Sequence, residues 1–118
     1  MTIKTPFSLS EKIAVITGFG APRDALSNGG AIARLFAKQG AVIEGLDISA
    51  EDAQNTVEAI IKAGGQAFFT SGDATVEADI DSWIKSVLQR HGRIDILINN
   101  VGQSERLTPE DADTNIWR

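Results

Sequence analysis

Four short runs of aliphatic and β-branched residues alternate along this chain with three segments whose apolar residues recur at helical spacing. That alternation limits the fold more than any other feature. Residues 13–17 (Ile13-Ala14-Val15-Ile16-Thr17) are read as a buried strand, as are 41–47, 66–70 and 94–99. Residues 31–39 are read as a helix with Ile32, Leu35 and Phe36 on one face, ending at Gly40. A second helix over 50–63 starts from Ser49 as its cap, with Asp52 at the third position. It carries Val57, Ile60 and Ile61 as its buried stripe and ends at Gly64-Gly65. A third helix, over 76–90, has the cleanest amphipathic pattern: Ile80, Trp83, Ile84, Val87 and Leu88, then Gly92. The order βαβαβαβ implies an α/β Rossmann-type parallel sheet with right-handed crossovers. Residues 1–11 are read as a loose leader, and 1–118 as a single partial domain without an internal boundary.

The stretch from Thr17-Gly18-Phe19-Gly20 to Ser27-Asn28-Gly29-Gly30 leaves the first strand and enters the first helix. Glycine serves three purposes at such a turn: the tight bend, close approach of the backbone to a pyrophosphate, and tight helix–strand packing. The N–H groups that open the helix then face the phosphates. Asp47 ends the second strand, 47 − 29 = 18 residues after Gly29, near the ~20 expected of a ribose-binding acid. A carboxylate there accepts hydrogen bonds from both ribose hydroxyls and repels a 2′-phosphate. This favours NAD over NADP. Ile48-Ser49 offers no cation for a 2′-phosphate, whereas Arg23 in the loop is the residue that could reach one.

With these residues in place, the chain resembles the short-chain dehydrogenase/reductase family from about Lys12 to Trp117. Thr17-Gly18 matches the start of the family's Thr-Gly-x-x-x-Gly-x-Gly motif. The run from Gly30 to Ala41 looks like the helix that follows it, and Gly92 to Ile98 like the usual lead into the asparagine motif after the fourth strand. Asn99-Asn100-Val101-Gly102 closely resembles the Asn-Asn-Ala-Gly motif after that strand, with Val for Ala. The resemblance implies strand order 3-2-1-4 and a nicotinamide dinucleotide held by Gly18, Ser27, Asn28, Gly29, Asp47, Ile48, Asp73, Ala74, Asn100, Val101 and Gly102. In that set Ser27 stands for the middle glycine and Asp73 for the acid that contacts the adenine ring. Asp73 reads equally well as a cap of the following turn. Of the two asparagines, Asn100 is assigned to the cofactor and Asn99 to the neighbouring backbone.

The sequence departs from the family pattern twice. The span from Gly18 to Gly29 is longer than the motif, with Gly20 to Leu26 as the inserted segment. The family's catalytic Ser and Tyr-x-x-x-Lys lie beyond the fourth strand, and the 118 residues contain no tyrosine. That tyrosine exchanges a proton with the substrate oxygen. The resemblance therefore implies the cofactor half of an alcohol/carbonyl oxidoreductase, whose fold continues past residue 118 and whose isolated fragment is inactive. The substrate pocket, and the helices that pair subunits into homo-oligomers, belong to that continuation. Without it the fourth strand is an apolar parallel edge.

Other partner classes find little support in the sequence. The net charge is −5, with 11 basic residues scattered among 16 acidic ones, which argues against nucleic acid. No apolar run approaches the ~20 residues of a membrane helix. With no cysteine and a single histidine, no catalytic residue or metal site is assigned. His91 is read as a helix-terminal cation, and the acids Glu77, Asp79, Asp81, Glu110, Asp111 and Asp113 as solvated faces or helix starts. A cytoplasmic location fits these features. Two alternatives stand beside the oxidoreductase: a non-catalytic dinucleotide-binding module, and a Rossmann protein that binds S-adenosylmethionine. The Thr-Gly loop and Asn-Asn-Val-Gly speak against the last.

Overall fold

The computed structural model describes residues 8–23 and 25–100. Seven elements follow in the order β1 (Ile13–Thr17), α1 (Asn28–Lys38), β2 (Val42–Asp47), α2 (Ala50–Lys62), β3 (Gln66–Ser71), α3 (Glu77–His91) and β4 (Ile96–Asn99). The strands form one parallel sheet of order β3-β2-β1-β4, as the resemblance implied. Thr17 pairs with Leu46 on one side and with Asn99 on the other, so β1, β2 and β4 end together. No helix among the described residues is long and apolar enough to cross a membrane.

Alternation along each strand sends side chains to two cores. Ala14, Ile16, Ile43 and Ala67 face α1 and α2, where Ala33, Ala53, Val57 and Ile60 meet them. Ile13, Val15 and Leu46 face α3, against Trp83 and Val87. Three residues expected in the core are outside it: Leu35 and Ile61 are each 56% exposed and Leu88 is 43% exposed. Small residues such as Ala33 and Ala53 make the actual contact with the sheet, so the buried stripe of each helix is narrower than its apolar pattern. Ile96 and Ile98 pack on the α1/α2 side, while Leu97 on the opposite face of β4 is 64% exposed.

The helix ends follow capping chemistry. Ser27 caps α1, its Oγ accepting from the Gly30 N–H, and Ser49 caps α2 in the same way through Asp52. Helix α1 therefore starts three residues before the expected Ala31. Asn28, Gly29 and Gly30 are weak helix formers, but the cap and the tertiary contact below hold them. Gly92 ends α3 in the left-handed conformation. Residues 8–11, part of the stretch read as a loose leader, are bonded to the body: Leu9 N–H donates to the Gln39 carbonyl, and Arg93 donates to that of Glu11.

One charged residue lies in the middle of the sheet. Glu44 on β2 is buried, and its Oε2 accepts from Arg90 at 3.0 Å and sits 2.7 Å from His91 Nε2. Both partners come from the last turn of α3. The Phe68 ring stacks under the Arg90 guanidinium at 4.4 Å. His91, read from the sequence as a helix-terminal cation, also clamps α3 to the sheet.

Candidate dinucleotide-binding cleft

A cleft of about 670 Å³ opens at the carboxyl ends of the strands, where a doubly wound sheet binds its ligands. Gly18, Ser27, Asn28, Asp47, Ile48, Asp73, Ala74 and Asn100, all named from the sequence, line it together. Gly29 is buried behind it in the first turn of α1. Val101 and Gly102 lie outside the described residues. Gly20, Pro22, Leu46, Asp52, Gly72 and Thr75 complete the lining. In the sequence Gly20 and Pro22 read as part of the inserted segment and Asp52 as the start of a helix, with no sign that they border the site.

Two glycines set the floor. Gly18 turns the chain out of β1 with φ +62°, a conformation that side chains with a Cβ avoid. A Cβ on Gly29 would stand 2.1 Å from the Gly18 carbonyl oxygen, so α1 approaches the strand end only with glycine there. Helix α1 carries no acidic residue in its first turn. Its Gly30 and Ala31 N–H groups are taken by Ser27, and those of Asn28 and Gly29 come before the first intrahelical acceptor.

Residues 19–21, which open the loop between these glycines, are packed against the body, whereas Pro22 and Leu26 are exposed. Phe19 is fully buried beneath it. Its carbonyl accepts from the buried Thr56 hydroxyl at 3.0 Å, and the Ala21 carbonyl accepts from the Asn55 amide at 3.1 Å. Gly20 is held at both ends: its N–H donates to Asp47 Oδ2 at 2.9 Å, and its carbonyl accepts from Ser27 Oγ at 2.8 Å. The second Asp47 oxygen accepts from the Ser49 N–H at 2.9 Å. An ionised carboxylate has about four acceptor sites, so each oxygen keeps capacity on its cleft side.

Asp73 makes the turn that the sequence allowed as its second reading. Its Oδ1 accepts from the N–H and the hydroxyl of Thr75, which hold its carboxyl below the usual carboxylate range, while it still borders the cleft. Both asparagines at the end of β4 tie to β1. Thr17 Oγ1 donates to Asn99 Oδ1 at 3.1 Å, and Asn100 Nδ2 donates to the Gly18 carbonyl at 3.1 Å. Among the described residues, the lining holds the carboxylates of Asp47, Asp52 and Asp73 and no lysine or arginine. Arg23 instead lines a separate recess of about 290 Å³ with Arg34 and Lys62.

Residues 12–118 match the family profile described as short chain dehydrogenase. The chain is 35% identical over 103 residues to a short-chain dehydrogenase/reductase homolog, YusS, of Bacillus subtilis, covering 86% of this chain and 90% of that protein. It is 38% identical over 94 residues to the 7alpha-hydroxysteroid dehydrogenase of Escherichia coli, covering 80% of this chain and 35% of the enzyme. A crystal structure of hydroxysteroid dehydrogenase from Escherichia coli superposes with a TM-score of 0.76 at 37% identity, over 83% of this chain and 40% of that one. The chain thus spans nearly the whole of the Bacillus relative and two fifths or less of the Escherichia coli enzyme. Fold, glycine turn and sequence similarity together make this chain a member of the short-chain dehydrogenase/reductase family of oxidoreductases.

Proposed function

We propose that the cleft binds NAD(H), as the cofactor-holding part of an oxidoreductase that interconverts an alcohol and a carbonyl. One observation carries this reading. The cleft lies at the strand ends between the open N-terminus of α1 and the Asp47 carboxylate, with no cation in its lining among the described residues. The residues fit the group part by part. The N–H groups of Asn28 and Gly29 meet the pyrophosphate with the favourable end of the helix dipole. Asp47 accepts from the ribose hydroxyls and disfavours a 2′-phosphate. Ile48, Asp73 and Ala74 flank the adenine, and Asn100 borders the nicotinamide end. The bound dinucleotide would supply hydride transfer, and the chain's own residues bind and orient it.

A second reading, a dinucleotide-binding module without redox chemistry of its own, is favoured by one fact: the Bacillus subtilis relative is matched over 90% of its length. Fluorescence titration of the purified chain with NADH, NADPH and S-adenosylmethionine tests the binding claim. Saturable binding of NADH, weaker binding of NADPH and none of S-adenosylmethionine is expected, and absence of NADH binding contradicts it. Carbonyl reduction with NADH separates the two readings: turnover by the chain alone would overturn the module reading and the expectation that these residues are inactive by themselves.

A further inference from the structure

We propose that Phe19 is a positioning residue for dinucleotide selectivity: seated against Gly45, it holds the Gly20 N–H on Asp47 and so fixes the carboxylate that faces the adenosine ribose. The proposal rests on the NAD(H) reading of the cleft. Phe19 is fully buried although it sits in a loop. The seat beneath it exists because β2 carries glycine at position 45, where a Cβ would stand 2.2 Å from the Phe19 ring. The peg is held from its other side as well, by the buried hydroxyl of Thr56 on the Phe19 carbonyl at 3.0 Å.

The consequence appears one residue further on. With Phe19 fixed, the Gly20 N–H lies 2.9 Å from Asp47 Oδ2, on the side of the carboxylate away from Ser49. The two amides clamp the two oxygens and hold the carboxylate in one orientation. A charge-assisted bond of this kind is among the stronger ones. Asp47 is acceptor-only, so in this orientation it matches ribose hydroxyls, which donate, and opposes a 2′-phosphate, which cannot. If the Gly20 amide is released, the side chain regains rotamer freedom and can swing away. Acceptance of the hydroxyls and repulsion of the phosphate both weaken. The selectivity of the cleft then depends on a buried ring that never touches the ligand.

The test measures the ratio of the NADPH to the NADH dissociation constant for the full chain. Phe19→Leu shortens the peg, and Thr56→Val removes only the hydroxyl behind it and serves if the first variant fails to fold. Circular dichroism verifies the fold of each. The ratio is expected to fall about tenfold in either variant, the worth of one charged hydrogen bond, and Thr56→Val is expected to leave it unchanged in an Asp47→Ala background. A merely structural role would weaken both dinucleotides alike, so an unchanged ratio in folded variants overturns the proposal while leaving the NAD(H) reading intact. A parent chain that binds neither dinucleotide overturns the NAD(H) reading and this proposal with it.

Discussion

Helix α1 closes on the end of β1 at Gly29, whose Cα lies so near the carbonyl oxygen of Gly18 that a Cβ would stand 2.1 Å from it. The oxygen belongs to the backbone and cannot rotate away as a side chain could. Gly29→Ala is therefore expected to push α1 off the strand, destabilising the fold by about 1–3 kcal/mol. NADH binding should weaken with it. Gly64→Ala is the control: φ is +96° there but nothing lies within 4 Å, so only the conformational cost of about 1–2 kcal/mol remains and binding is unaffected. Urea unfolding and NADH titration of both variants give the comparison.

The Glu44 clamp predicts non-additive stability. Its Oε2 is held by Arg90 and His91, while its Oε1 has no partner among the described residues. Removing His91 leaves the buried carboxylate with Arg90 as its one partner among the described residues, so His91→Ala is expected to cost about 1–3 kcal/mol. Replacing the acid as well, in the double variant His91→Ala with Glu44→Leu, should recover part of that loss because the poorly compensated buried carboxylate is gone. A double variant less stable than His91→Ala alone would show that the clamp contributes more than it costs.

Asp95 makes stability depend on acid. Its carboxylate accepts from the Ile13 N–H at 2.8 Å, which with the Arg93 guanidinium outweighs partial burial and holds its pKa below the ordinary 3.8. A carboxyl whose pKa is lower in the folded chain contributes stability that is complete above the unfolded value. That contribution is lost as pH falls through the folded one. Urea midpoints should therefore drop as pH is lowered below about 4, with Asp73 adding to the slope through its Thr75 contacts. In Asp95→Asn the drop should be shallower, and an unchanged slope would assign the acid loss elsewhere.

The parts of the fold that follow from local periodicity were legible in the sequence. The alternation of strand and helix patterns set the element order, and family resemblance set the strand order. The cleft was legible because its residues sit where loops leave parallel strands, so Gly18 and Asp47 could be placed by position, and family resemblance added Asn100. What was not legible depends on contacts between distant segments. Phe19 reads as a loop aromatic until Gly45, a strand residue without a side chain, is seen to be its seat. Gly20 reads as an insertion until its amide meets Asp47. Glu44 reads as a polar interruption of a strand, and only α3 supplies the Arg90 and His91 that allow it to be buried. Leu35 and Ile61 lie within apolar helical patterns, but Ala33 and Ile60 face the sheet in their place and leave them outside.

The most direct measurement is the amide chemical-shift map of the chain titrated with NADH. Saturable shifts are expected at Gly18, Gly20, Asn28, Gly29, Asp47, Ile48, Ala74 and Asn100, with little change at Leu35, Lys38 and Ala63 in the groove between α1 and α2. No saturable shift, or shifts confined to that groove, would contradict it.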